Sequence, residues 1–162
     1  MHAAGDHDHA HCIAQAVESA ERVCAERGER FTTLRRRVLE LVWHSHQPIG
    51  AYGIIEALQK ERGKVGPPTV YRTLDFLLAQ GLIHRIESLS GYVGCAQPDE
   101  GHHGQFLICR HCGNAEELTD ARVDRALVRA AAQAGFEVEA QTLELRGLCA
   151  RCGPDETAEE RA

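Results

Sequence analysis

PPTVYRTLDFLLAQGLIHRIESLSGYVGC, residues 67–95, is the stretch on which the fold turns. Pro67-Pro68 cannot lie inside a helix but suits its first turn, where the missing N–H would be an orphan anyway. Val70, Leu74, Leu77 and Leu78 then recur at helical spacing, and Gly81 ends the run. Thr69, Tyr71, Arg72, Thr73 and Asp75 are left for the opposite, exposed face. LIHRIES and GYVGCA are short β-prone runs meeting at Leu89-Ser90-Gly91, a predicted hairpin.

Working upstream, three more helices are predicted. Residues 13–27 place Ile13, Ala16, Val17, Ala20, Val23 and Cys24 on one stripe, stopped by Gly28. A second helix starts at Thr32 or Thr33, either of which can cap it, and carries Val38, Leu41 and Val42 until HSHQP ends it. A third spans about residues 51–61 with Ile54, Ile55 and Leu58, broken by Gly63 and Gly66. Helices followed by a hairpin describe a winged helix-turn-helix domain over residues 13–95.

Working downstream, residues 96–104 are polar and read as a linker. QFLIC predicts a strand, RHCGN a knuckle and AEEL a return strand. Residues 120–134 predict a helix with Val123, Leu127, Val128 and Ala131 inward. FEVEAQTLEL alternates like a half-buried strand. The class is α+β: a winged helix, then a small α/β dimerisation domain over residues 105–152. Its short sheet has an open edge, which pairing with a second copy would satisfy, so a homodimer is expected. The termini read as tails: a histidine-rich one over residues 1–12, with His2, His7, His9, His11 and Cys12, and an acidic one over residues 153–162.

Of the 162 residues, 43% are hydrophobic and 26% charged, which is a globular composition. No run reaches the ~18 apolar residues of a membrane span, and MHAAGDHDHAHC has no apolar signal region, so a cytoplasmic location is expected. In a reducing compartment seven cysteines point to metal rather than disulfides. The net charge of −6 speaks against nucleic acid, but it is uneven. Residues 1–87 hold 11 basic and 11 acidic groups, against 7 and 13 in the rest, and Arg30, Arg35, Arg36 and Arg37 cluster in the first part. A neutral half with a basic face remains compatible with DNA.

Cys109-x-x-Cys112 and Cys149-x-x-Cys152 each follow a predicted strand, where a tight knuckle can aim two sulfurs at one point. Four thiolates suit a closed, structural zinc site. A redox dithiol lacks its βαβ context. Of the other cysteines, Cys24 on its apolar stripe reads as a small buried hydrophobe. Cys95 ends the hairpin beside a linker carrying His102 and His103, with His84 on the preceding strand and Glu117 beyond the knuckle. One thiolate, one carboxylate and two imidazoles make a neutral set for Zn2+. Spacing alone leaves two readings open: this ligand set, or a packed His84 with solvated loop histidines. Catalysis finds no support. There is no H-E-x-x-H, Ile108 stands where a deaminase has proline, and no P-loop, G-x-S-x-G or G-x-G-x-x-G occurs, so the protein is not expected to be an enzyme.

The T-V-Y-R-T-L helix, the Y-V-G-C wing end, the H-x6-C-x-x-C run and the final C-x-x-C resemble the ferric uptake regulator superfamily, and within it the zinc uptake regulator branch. The likeness spans residues 13–152. It implies a homodimeric, zinc-responsive repressor of zinc-uptake genes that binds palindromic operator DNA. Two zinc ions per protomer are implied: a structural one at Cys109, Cys112, Cys149 and Cys152, and a regulatory one at His84, Cys95, His102 and Glu117, with His103 the rival to His102. It also places Tyr71 and Arg72 at base edges, and Thr69, Thr73, Tyr52, Arg35 and the helix N-terminus at phosphates. Two departures stand out. Gln105 and Phe106 occupy the region where iron sensors carry a further histidine, and Phe31-Thr32-Thr33-Leu34-Arg35 replaces Leu-Thr-Pro-Gln-Arg. The other readings are an iron, manganese or peroxide sensor of the same superfamily, and a zinc buffer that never touches DNA.

Overall fold

The computed structural model describes residues 9–98 and 104–153. The chain divides into two compact units, Met1–Gly101 and His102–Ala162. The first holds helices α1 (His9–Glu26), α2 (Thr33–Trp43), α3 (Ala51–Arg62) and α4 (Pro67–Ala79), and strands β1 (Ile49–Gly50), β2 (Ile83–Ile86) and β3 (Gly91–Gly94). The second holds β4 (Gly104–Cys109), β5 (Ala115–Glu117), α5 (Ala121–Gln133) and β6 (Thr142–Gly147).

In the first unit the apolar stripes converge on one core: Val17, Ala20, Val23 and Cys24 from α1, Val38, Leu39 and Val42 from α2, Ile54 and Leu58 from α3, Val70, Leu74 and Leu77 from α4. Thr32 caps α2, its hydroxyl accepting the Arg35 amide at 3.3 Å. Gly81, at φ +69°, turns the chain from α4 into the wing. The wing is three-stranded, ordered β1-β3-β2, rather than a two-stranded hairpin. Its extra strand is two residues long, too short to show any periodicity. Ser90, in the left-handed region at φ 48°, follows a single 3-10 turn (Glu87–Leu89) at the wing tip.

α1 begins earlier than the sequence predicts. His9, Ala10, His11 and Cys12 lie in its first turn, so the tail reading is corrected for these residues; the rest of that tail, residues 1–8, lies outside the described residues.

The second unit orders its sheet β5-β4-β6, with β4 antiparallel to β5 and parallel to β6. A parallel neighbour needs a long crossover, and α5 supplies it. Two expectations fail here. Phe136–Gln141 is a connection rather than the start of a strand, and Phe136 is 66% exposed. No residue of α5 is buried, and Leu127 and Val128 are exposed. Only Gln105, Phe106, Ile108 and Cys109 are buried among the described residues of this unit.

Candidate metal centre and DNA-reading helix

The two C-x-x-C pairs are brought together. Cys109 ends β4 and Cys149 follows β6; these strands pair in parallel, so both knuckles emerge at one end of the sheet. Each is a tight turn. The Gly113 amide donates to the Cys109 carbonyl at 2.9 Å, with Gly113 at φ +74°, and the Cys152 and Gly153 amides donate to the Cys149 carbonyl at 2.9 and 2.8 Å. The four sulfurs lie within 4.8 Å of one another.

Cys112 Sγ and Cys149 Sγ are 3.8 Å apart. A tetrahedron with metal–sulfur bonds of about 2.3 Å has edges of about 3.8 Å, so the spacing fits zinc. The Cys149 amide points at Cys109 Sγ at 3.4 Å. The Cys112 and Cys149 backbone amides hold the Cys109 thiol down at about 5, whereas hydrogen bonding to the Cys149 sulfur raises Cys152. Four thiolates this close repel one another without a cation, and a divalent metal removes the conflict.

In the first unit, His84 lies on β2 opposite Val93 of β3. Cys95 follows β3, its amide donating to the Leu82 carbonyl at 3.1 Å. Val93 and Cys95 share a face, which makes His84 and Cys95 diagonal cross-strand neighbours. Their ligand atoms lie within 4.8 Å, and Cys95 is buried. In the second unit, Glu117 is the last residue of β5, opposite Phe106. His102 and His103 lie outside the described residues. Cys24 is buried and burial pushes its thiol up, which suits the small-hydrophobe reading.

On α4, Thr69 and Arg72 are exposed and Tyr71 is 49% exposed; Tyr52, on α3, is 77% exposed. Thr73 is a correction. It is only 6% exposed, and its hydroxyl donates to the Thr69 carbonyl at 2.9 Å, so it belongs to the inner face. The helix N-terminus is a second correction. Pro67 and Pro68 have no N–H, and the Thr69 and Val70 amides both reach the Gly66 carbonyl, at 3.0 and 3.4 Å, which leaves the first turn without a free amide for a phosphate. Arg35 stacks over the Phe76 ring at 3.3 Å and donates to the Arg30 carbonyl, so its guanidinium is engaged within the domain.

Sequence reasoning missed several polar links. Arg36 pairs with Glu21, and Arg37 with Glu40 and Glu61, so two of the four clustered arginines are held by carboxylates. Arg27 donates to the carbonyl and side-chain oxygens of Gln80 at 2.9 and 3.0 Å, a cation at the C-terminus of α4. Gln105 is 1% exposed; its amide and that of Gln141 donate to Asp124 Oδ1 at 2.6 and 2.7 Å. The Gln105 side chain is thus spent on a hydrogen-bonded carboxylate. These partners lie far apart in sequence and have no period to reveal them.

The ferric uptake regulator family model matches residues 26–146. The chain belongs to the ferric uptake regulator family. It is 37% identical to the zinc uptake regulation protein of Escherichia coli (strain K12) over 139 residues, covering 85% of this chain and 81% of that one. It is similar to a zinc uptake regulator solved in complex with zinc and DNA, at TM-score 0.80 and 36% identity, covering 86% of this chain and 93% of that one. The crystal structure of holo XcZur matches at TM-score 0.76 and 43% identity, covering 83% and 94%. The chain combines a helical N-terminal region with a small mixed domain carrying the four-cysteine cluster. No described helix is long and apolar enough to cross a membrane.

Proposed function

We propose that this family member is a cytoplasmic, homodimeric, zinc-responsive repressor that binds palindromic operator DNA when zinc-loaded and silences zinc-uptake genes. Two zinc ions per protomer are part of the reading. Cys109, Cys112, Cys149 and Cys152 hold the structural one; His84, Cys95, Glu117 and His102 hold the regulatory one. The reading is carried by the placement of His84 and Cys95 as neighbours on the wing. A thiol and an imidazole there suit a borderline cation better than a hard one. The zinc- and DNA-bound relative supports the same reading.

When bound, zinc supplies a link between ligands of the two units. The chain does the rest. Arg72 offers a fork for a guanine edge, Tyr71 an aromatic ring for a thymine methyl, and Thr69 and Tyr52 hydroxyls for phosphates. The exposed apolar residues of the second unit, among them Leu107, Leu127, Val128, Leu145 and Phe136, suit the partner protomer. Driving a switch from 1:99 to 99:1 needs about 5.5 kcal/mol of differential affinity, within the roughly 10–16 kcal/mol of zinc coordination.

The test is a mobility-shift titration with buffered Zn2+, Fe2+ and Mn2+ on DNA selected by the zinc-loaded chain, comparing native protein with Cys95→Ser. Native protein is expected to shift with zinc alone, and the variant is expected to lose the shift while keeping its four-cysteine zinc. A shift driven by Fe2+ or Mn2+ instead makes the protein a different sensor. No selectable DNA makes it a buffer.

A further inference from the structure

Apart from Arg30 and Arg72, which are exposed and make no ion pair among the described residues, the cations of the first unit fall into two groups. Arg22, Arg36, Arg37 and Arg85 are held by carboxylates, Arg27 by Gln80, and Arg35 by Phe76 and the Arg30 carbonyl. Lys60, Arg62 and Lys64 are exposed, and none makes an ion pair among the described residues. They sit in the last turn of α3 and the short loop that leads into α4.

The same short stretch contains one acid, Glu61, which is exposed but engaged by an arginine of the neighbouring helix. Arg37 grips it from α2 with a two-pronged fork, Nε to Oε2 at 2.8 Å and a terminal nitrogen to Oε1 at 2.5 Å. Glu61 is thereby tied to Arg37, which it shares with Glu40, and it makes no ion pair with the three cations beside it. The amides at the start of α4 are closed off, so side chains are what remain there to meet a phosphate.

We infer that Lys60, Arg62 and Lys64 form a phosphate-contacting strip that seats the DNA backbone ahead of α4, and that the Arg37 clamp on Glu61 keeps this strip free of its one carboxylate. This rests on the DNA-binding reading above and deepens it. Arg37 acts through Glu61 as a positioning residue and need not touch DNA. A strip of this kind adds affinity without sequence preference, because phosphates carry no sequence.

The experiment measures fluorescence anisotropy of two duplexes, one selected by the zinc-loaded chain from a random library and one of fixed mixed sequence, across a salt series with zinc present. Replacing all three cations (Lys60→Gln, Arg62→Gln, Lys64→Gln) is expected to flatten the dependence of log K on log salt by about 0.9 for each phosphate no longer neutralised, in each bound protomer. Between 50 and 200 mM salt, one protomer's strip then makes the triple variant's fall in affinity about 40-fold smaller than the native chain's. Arg37→Gln, which releases Glu61 into the strip, is expected to flatten the slope by the equivalent of about one phosphate. The double variant Arg37→Gln/Glu61→Gln is expected to restore the native slope, which a merely structural loss at Arg37 would not allow. A native slope in the triple variant on both duplexes overturns the inference, and so does an unrestored slope in the double variant. If the library yields no preferred duplex, the operator reading fails by itself, and the mixed-sequence duplex still reads the strip.

Discussion

Removing the metal from the four-cysteine cluster should melt the second unit and spare the first. The reason lies in how unequal the two cores are. The first unit buries residues from four helices and the wing in one cluster, whereas the second buries two large apolar side chains, Phe106 and Ile108, and none from α5. A domain of this size is marginal without a staple. If free zinc exceeds the dissociation constant about 1,000-fold, occupancy contributes about 4 kcal/mol to the fold that binds it, and a strong chelator withdraws that contribution. The assay is amide hydrogen exchange with and without chelator, performed in Cys95→Ser so that loss of the regulatory ligand set does not contribute. Reporter amides are Arg110, which donates to the Gly147 carbonyl at 2.9 Å, Gly113, which donates to Cys109 at 2.9 Å, and Cys152. They should lose protection by a factor approaching about 1,000, while amides of α2 and α4 keep theirs. Cys112→Ser should reproduce the loss without chelator. Unchanged protection at Arg110 and Gly113 after stripping would refute the argument, since the knuckles would then be held by the chain alone.

Three other outcomes follow from the geometry. Arg72→Ala should weaken selected DNA by about 1–3 kcal/mol while leaving mixed-sequence DNA less affected, because a base-edge fork discriminates and a phosphate contact does not; competition anisotropy measures it. Gly94→Ala should cost about 1–3 kcal/mol by thermal melting, because a Cβ at Gly94 would overlap the Trp43 indole and push the wing out beside Cys95. Asp120, which caps α5 by accepting the Arg122 amide at 2.8 Å, has its pKa lowered to about 2, first by the Arg122 side chain. A depressed carboxyl stabilises fully above its ordinary value near 3.8 and loses that contribution as pH falls through about 2, so α5 should loosen in that window; in Asp120→Asn the acid-dependent loosening, followed by exchange of the α5 amides, should be absent.

Much of the first unit was legible because its helices are amphipathic and punctuated. Gly28, Thr32, Gly63, Pro67 and Gly81 mark ends that local physics dictates, and the stripes between them have one periodicity. The four-cysteine cluster was legible for a related reason, since two pairs of equal spacing after two strands have a single compact solution. Thr73 was misread because its polarity was taken for exposure; three residues after Val70 and four before Leu77 it falls on the buried stripe, where its hydroxyl bonds back to Thr69. The α5 stripe was read correctly as apolar and wrongly as buried. A periodic face shows that something covers it, not whether the cover is the same chain.

The sequence by itself determined where the helices run, which sulfurs converge and which helix is opened by its two prolines, because each of these depends on residues within a few turns of one another or on a repeated spacing. Only the tertiary structure decided which charges are spent. Arg37 meets Glu61 across 24 positions, and Asp124 draws in Gln105 and Gln141 from a strand and a connection. Ion pairs and buried amide networks form between whatever the packing places within about 3 Å, and no local spacing rule encodes that. The surface charge left for a partner is what remains after those pairings are made.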